Sequence, residues 1–227
     1  STSDPALSGL EAKGSGLKLG LIDYGMGNLH SVEFAFLRLS QPCLRVRSSD
    51  DLHDCDALIL PGVGSFDPAM ENLNSTGLVP DLLRWANDNK PLLGICLGLQ
   101  LLFESSSEGR LDGLGLIQGH VERLADDQNE RIPHMGWAPL DLKNPSPLLK
   151  KQQAAPWMYF VHSYAAVPAQ PHTLAATTQF GNQEITAMVW QKRLGACQFH
   201  PEKSSDDGSA LLKHWLQWLN RGAPFEA

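Results

Sequence analysis

The stretch Pro91-Leu92-Leu93-Gly94-Ile95 runs without a break into Cys96-Leu97-Gly98 and then into a segment of helical composition. A short apolar run of this kind suits a strand buried on both faces, which requires parallel neighbours and helices over the sheet. The rest of the first half keeps the same rhythm. LKLGLID from Leu17 predicts a first strand, and Ser31 to Leu39 a helix with Val32, Phe36 and Leu39 on one face. Cys43 to Arg47 and Ala57 to Pro61 predict the next strands, and Val79 to Asn87 a helix before the Pro91 to Ile95 strand. Strand and helix thus alternate, which points to an α/β fold with a mostly parallel sheet flanked by helices. From about Gln118 to Val189 the chain is richer in Pro, His, Thr and aromatic residues, and shorter strands with long loops are expected. A last strand, Gly195 to Phe199, precedes a helix whose Leu211, Leu212, Trp215, Leu216 and Leu219 share one face.

Residues 17–227 are therefore expected to form one α/β domain. Residues 1–16 lack apolar periodicity, end in Gly14-Ser15-Gly16, and read as a flexible N-terminal arm. Apolar residues make up 42% of the 227 and charged residues 19%, which excludes disordered, collagen-like and coiled-coil classes. The formal charge of −7 disfavours nucleic acid and anionic membranes as partners. Cys43, Cys55, Cys96 and Cys197 form no CxxC pair, so neither a zinc site nor a disulfide framework is expected. With no signal pattern and no apolar stretch long enough to span a bilayer, the expectation is a soluble, cytoplasmic chain without metal or cofactor.

A cysteine on a tight turn between a buried strand and a helix has the arrangement of a nucleophile elbow. The flanking Gly94 and Gly98 remove side chains that would crowd the turn. The start of a helix favours an anion, here a thiolate, and the Leu97 N–H points where an oxyanion would form. The competing reading is a small buried core thiol. A nucleophile needs a base, and the base an orienting group. Gln198-Phe199-His200-Pro201-Glu202 offers both just after the last predicted strand. Pro201 keeps His200 extended, and in an extended segment residues two apart point the same way, so His200 and Glu202 are expected to pair. Pro61-Gly62-Val63-Gly64-Ser65-Phe66 follows another apolar strand; it lacks the Lys-Ser/Thr of a phosphate loop and reads as an oxyanion or carboxyl cradle beside Cys96. Spacing alone assigns no role to His120, His134 or His162.

In the order PGVGSF, GICLGLQ, QFHPEKS, these pieces resemble the class I (triad) glutamine amidotransferases. DYGMGNLHSV (Asp23 to Val32), IPHMGW (Ile132 to Trp137) and YFVHSY (Tyr159 to Tyr164) narrow the likeness to the glutaminase subunits of imidazole glycerol phosphate synthase, from about Leu17 onward. The resemblance implies a flavodoxin-like fold that hydrolyses the glutamine side-chain amide. Cys96 would be the nucleophile, His200 the acid and base, and Glu202 its orienter. The oxyanion would take the Leu97 amide and one from the Gly62-Val63 segment. Gln100 and Glu108 would hold polar groups of the substrate, and the backbone of His162, Ser163 and Tyr164 its carboxylate.

The resemblance also implies a heterodimer with a (β/α)8-barrel cyclase subunit. That partner would receive the ammonia and make imidazole glycerol phosphate and an aminoimidazole carboxamide ribotide in histidine biosynthesis. Met26, Asn28, Trp137, Tyr159 and Lys203 would line that interface, and activity would rise when the cyclase holds its ligand. Two departures stand out: the arm before Leu17 has no counterpart, and Ala138 follows IPHMGW where a polar residue is expected. An amidotransferase subunit for anthranilate or pyridoxal phosphate synthesis is the alternative, and a non-catalytic module with a decayed site is a third. DYGMGN and IPHMGW argue against the former, the complete triad against the latter.

Overall fold

A computed structural model describes residues 16–151 and 154–225. The expected arm therefore lies, apart from Gly16, outside the described residues. Four four-residue strands, β1 (Leu19–Ile22), β2 (Cys43–Val46), β3 (Ala57–Leu60) and β4 (Leu92–Ile95), pair in parallel in the order β2-β1-β3-β4. The last strand, β13 (Leu194–Cys197), joins β4 in parallel, which gives the 2-1-3-4-5 order of a doubly wound sheet. Three antiparallel strands extend the same sheet beyond β13: β12 (Gln183–Gln191), β11 (Leu174–Phe180) and β8 (Asp141–Leu142).

Alternation along the parallel strands sets the two main cores on opposite faces of the sheet, and a smaller cluster of Leu124, Ala165, Phe180 and Ile185 lies apart from both. Leu19, Leu21, Ile59, Leu93 and Ile95 face helices α1 (Leu29–Leu37) and α6 (Ser205–Asn220), which supply Val32, Phe36, Leu211 and Trp215. Ile22, Leu58, Leu60 and Leu92 face the other way, toward α3 (Phe66–Ser75), α4 (Val79–Asn87) and α5 (Leu97–Leu101). A single turn, α2 (Ser49–Leu52), links β2 to β3. Every apolar position assigned to the last helix is buried, and Trp218 joins them, packed edge-on against Trp190 at 5.1 Å.

Two expectations need correction. Apart from the two-residue β8, the strands between Gln118 and Val189 are longer than the parallel ones, seven residues in β11 and nine in β12. The pair is closed by the two-residue Gly181-Asn182 turn, a hairpin connection that lets both strands run on. Helix α3 had no counterpart in the sequence reading, although Phe66, Ala69, Met70 and Leu73 are all buried at i, i+3, i+4, i+7 spacing. Two small sheets complete the fold. One joins β10 (Tyr164–Pro168), β6 (Ile117–Arg123) and β5 (Phe103–Ser106); the other is a ribbon of β7 (His134–Pro139) and β9 (Trp157–His162). Among the described residues no helix is long and apolar enough to cross a membrane.

Candidate active site

The carboxyl ends of β3, β4 and β13 lie side by side, so whatever follows them converges on one spot. Cys96 follows β4 and takes φ 56° and ψ −114°, a conformation L-residues rarely adopt, before α5 begins at Leu97. Its N–H donates to the Cys197 carbonyl at 2.8 Å, which anchors the turn to β13. The turn is tight because α5 starts almost in contact with β3: a Cβ on Gly98 would sit 1.9 Å from the Leu60 carbonyl oxygen.

His200 follows β13 and is extended, at φ −102° and ψ 96°. Its N–H donates to the Tyr159 carbonyl at 3.0 Å, and its own carbonyl accepts from Ser204 Oγ at 2.6 Å. Nδ1 lies 2.6 Å from Glu202 Oε1, and both side chains are buried. The local backbone differs from the sequence reading: Pro201–Lys203 forms a 3₁₀ turn, so the turn, rather than strand alternation, brings the two together. Nε2 of His200 is buried without another hydrogen-bond partner, in the same cavity as Cys96. Burial alone would lower the imidazole pKa, but Cys96 and Glu202 together outweigh it and raise it to about 10.

A folded-state pKa above the ordinary imidazole value of 6.5 stabilises the fold fully below that value and is lost as pH rises through about 10. The chain is therefore expected to lose stability between pH 7 and pH 10. Glu202→Gln, which removes one of the two partners, is expected to flatten that loss, as read from urea midpoints at the two pH values. A parallel decline in both proteins would refute the assignment.

Cys96, Leu97, Gln100, Glu108, Val63, Gly64, His200 and the 161–164 segment line a cavity of about 270 Å³, small-metabolite in scale. Glu108 lies half in this cavity with Oε1 accepting from the Phe66 N–H at 2.7 Å, so its charge rests at the start of α3. Gln100 is buried, its amide donating to the Tyr164 carbonyl and to Gln198 Oε1. The Leu97 N–H is engaged, donating to the Gly62 carbonyl at 3.1 Å. The Tyr24 hydroxyl donates to the adjacent Pro61 carbonyl at 2.6 Å, and a Cβ on Gly62 would lie 2.6 Å from that hydroxyl.

Of the residues expected at an interface, Trp137 packs edge-on against Tyr159 at 5.9 Å across the β7–β9 ribbon. Exposed Met135 and Trp157 extend the apolar surface there. Met26 lies against Gly64, Asn28 caps α1 by accepting from the Ser31 N–H, and Lys203 is exposed one residue beyond Glu202. Sequence reasoning missed Tyr24, Gln198, His134 and Asp67. Asp67 accepts from the Arg110 and Leu111 N–H groups and pins the Glu108 loop to α3. Among the described residues no group of three or more His, Cys, Asp or Glu is placed to hold a metal ion.

The family profile "Glutamine amidotransferase class-I" matches residues 20–217. The chain is 70% identical over 209 residues to "Imidazole glycerol phosphate synthase subunit HisH 2" of Parasynechococcus marenigrum, covering 92% of this chain and 99% of that one. It is 64% identical to the HisH subunit of Synechococcus sp. strain CC9902, over 92% of this chain and 98% of the relative. Among solved structures, a glutamine amidotransferase superposes with a TM-score of 0.67 at 20% identity, covering 89% of this chain and 98% of that chain. A chain from the structure of PurLQS from Thermotoga maritima gives 0.69 at 17% identity, covering 89% and 99%; both likenesses speak to fold alone. The chain belongs to the class I glutamine amidotransferases and, within them, to the HisH subunits of imidazole glycerol phosphate synthase.

Proposed function

We propose that the chain hydrolyses glutamine to glutamate and ammonia with Cys96, His200 and Glu202, and delivers the ammonia to a cyclase subunit in the cytoplasm. The observation that carries this reading is the buried 2.6 Å His200–Glu202 pair sharing one cavity with a cysteine held on a strained turn. Cys96 Sγ attacks the side-chain amide carbon, and His200 Nε2 passes a proton to the departing ammonia. A γ-glutamyl thioester remains. Water, losing a proton to His200, attacks the thioester carbon, and the C–S bond breaks to release glutamate and restore Cys96. Glu202 keeps the proton of Nδ1 in place, so Nε2 does the exchanging. Glu108 would face the substrate ammonium, and the backbone of His162, Ser163 and Tyr164 its carboxylate.

The tetrahedral oxyanion needs donors, and here the Leu97 N–H is already given to Gly62. Turning over the Gly62-Val63 peptide would release the Leu97 N–H and present that of Val63. Tyr24, bonded to Pro61 on the preceding peptide, helps hold the closed arrangement. One missing oxyanion donor lowers kcat by about 10²–10³-fold. A resting, closed segment is what ammonia channelling demands, because glutamine spent without the cyclase ready is wasted. The apolar ribbon carrying Trp137 and Tyr159, with Met26, Asn28 and Lys203, is the surface proposed to meet the cyclase barrel.

The test is glutamate release by the chain alone, with the cyclase subunit, and with cyclase plus its nucleotide ligand. The chain alone is expected to run at least ~100-fold slower than the complete mixture, the scale of one lost donor. Full activity in the chain alone, unchanged by the cyclase, would discard both the gate and the partner.

A further inference from the structure

Outside the Cys96, His200 and Glu202 set, the described residues contain a second buried polar chain that ends on the same sulfur. Its direction can be read link by link. The Tyr164 carbonyl oxygen can only accept, so His162 Nδ1, 2.8 Å away, carries the proton. His162 Nε2 then accepts from His134 Nδ1 at 3.1 Å. Burial holds the His162 imidazole down at about 4, so the ring stays neutral and this polarity persists at neutral pH.

Gln100 Nε2 donates to the same Tyr164 carbonyl at 3.2 Å and to Gln198 Oε1 at 3.1 Å. A flipped Gln100 would set oxygen against oxygen, so only one amide orientation satisfies these contacts. Gln198 Oε1 is thereby turned to Gln100, and its Nε2 is left facing Cys96 Sγ at 3.9 Å. Gln198 is fully buried, one residue beyond β13, with its backbone N–H bonded to the Ala187 carbonyl at 2.9 Å. A buried amide that donates to sulfur favours the thiolate over the thiol, since hydrogen bonds to an ionised acceptor are the stronger ones.

We propose that Gln198 is a positioning residue for the Cys96 sulfur, aimed by Gln100 and the Tyr164 carbonyl and acting alongside the His200–Glu202 pair. This rests on Cys96 being the nucleophile. The chain gives the Tyr164 carbonyl a second purpose: it ties the segment proposed to receive the substrate carboxylate to the atom that attacks the amide. The titratable groups acting on the sulfur's surroundings are Tyr24, Cys197, His200 and, through His200, Glu202. The Tyr24 hydroxyl is given to the Pro61 carbonyl, so Gln198 is the neutral donor that acts on the sulfur beside His200.

The test replaces the amide by an unbranched side chain of similar length without a donor, Gln198→Met. Iodoacetamide labelling of Cys96, read by mass spectrometry of its peptide between pH 5 and pH 10, reports thiolate formation directly. The labelling midpoint is expected to move up by about half to one pH unit. In the complex with the cyclase and its ligand, kcat for glutamate release is expected to fall about 10-fold while KM for glutamine stays within about twofold. Gln100→Met frees the Gln198 amide to turn and is expected to shift the midpoint the same way by less. The double variant is expected to label no later than Gln198→Met alone, the non-additivity of a single chain.

An unchanged midpoint and kcat in Gln198→Met would overturn the proposal. If that variant does not fold, an unchanged midpoint in folded Gln100→Met overturns it equally. Activity surviving in Cys96→Ala would instead remove the nucleophile on which the proposal stands, a distinct outcome.

Discussion

Cys96→Ala is expected to abolish glutamate release, by at least ~10³-fold in kcat, while leaving the fold intact. The variant removes one sulfur from a buried turn and changes neither the Cys96 backbone bond to Cys197 nor the His200–Glu202 pair. No neighbouring group can substitute. Cys197 is fully enclosed, and burial, with Glu202 and Cys96 nearby, pushes its thiol well above the ordinary range, so it stays protonated and inert. The measurement is glutamate production by the assembled complex, with circular dichroism to verify the fold. Undiminished turnover would remove the covalent route entirely.

Gly98→Ala is expected to damage the fold rather than the chemistry. Its Cβ would lie 1.9 Å from the Leu60 carbonyl oxygen, where real Cβ contacts essentially never fall below 3.0 Å. Either β3 or the start of α5 must move by about an ångström, and both are packed on neighbours without exposure. Overpacking of this severity costs about 3 kcal/mol or more. In a chain of this size that corresponds to a melting temperature lower by roughly 6–12 °C. A fall of less than about 2 °C would show that the end of β3 yields at almost no cost.

Local pattern made much of the scaffold readable. Helix α4 runs over the expected Val79 to Asn87, and each parallel strand lies within a residue or two of its expected run. In β1, β3, β4 and β13 the reason is burial on both faces, which leaves only apolar residues; β2 at the sheet edge carries exposed Leu44 and half-buried Arg45. The turn at Cys96 was legible for the same reason: the glycines on either side mark where backbone meets backbone. Helix α3 was hidden by Pro68 and by its polar Asp67, Glu71, Asn72 and Asn74, which mask a clean buried stripe.

Beyond the His200–Glu202 pair, the polar interior was not readable. Gln100 and Gln198 are 98 residues apart, and His134 and His162 are 28 apart; only the folded sheet brings each pair into contact. Glutamine and histidine at such positions carry no periodic signal, because the chain's hydrophobic pattern records burial and not partnership. The use of the Leu97 N–H by Gly62 was equally beyond reach, since sequence names the donor but not the orientation of the peptide opposite.

Cys96 holds φ 56° where glycine would be at ease, and such a conformation costs on the order of 1–3 kcal/mol. Selection for thermal robustness alone would therefore drift toward glycine at position 96, yielding a sturdier chain that no longer turns over glutamine. Directed-evolution campaigns that score heat tolerance without scoring turnover would enrich that sterile solution. With Cys96 as the proposed nucleophile, position 96 is thus also a built-in marker, and a relative carrying glycine there would have traded its livelihood for durability.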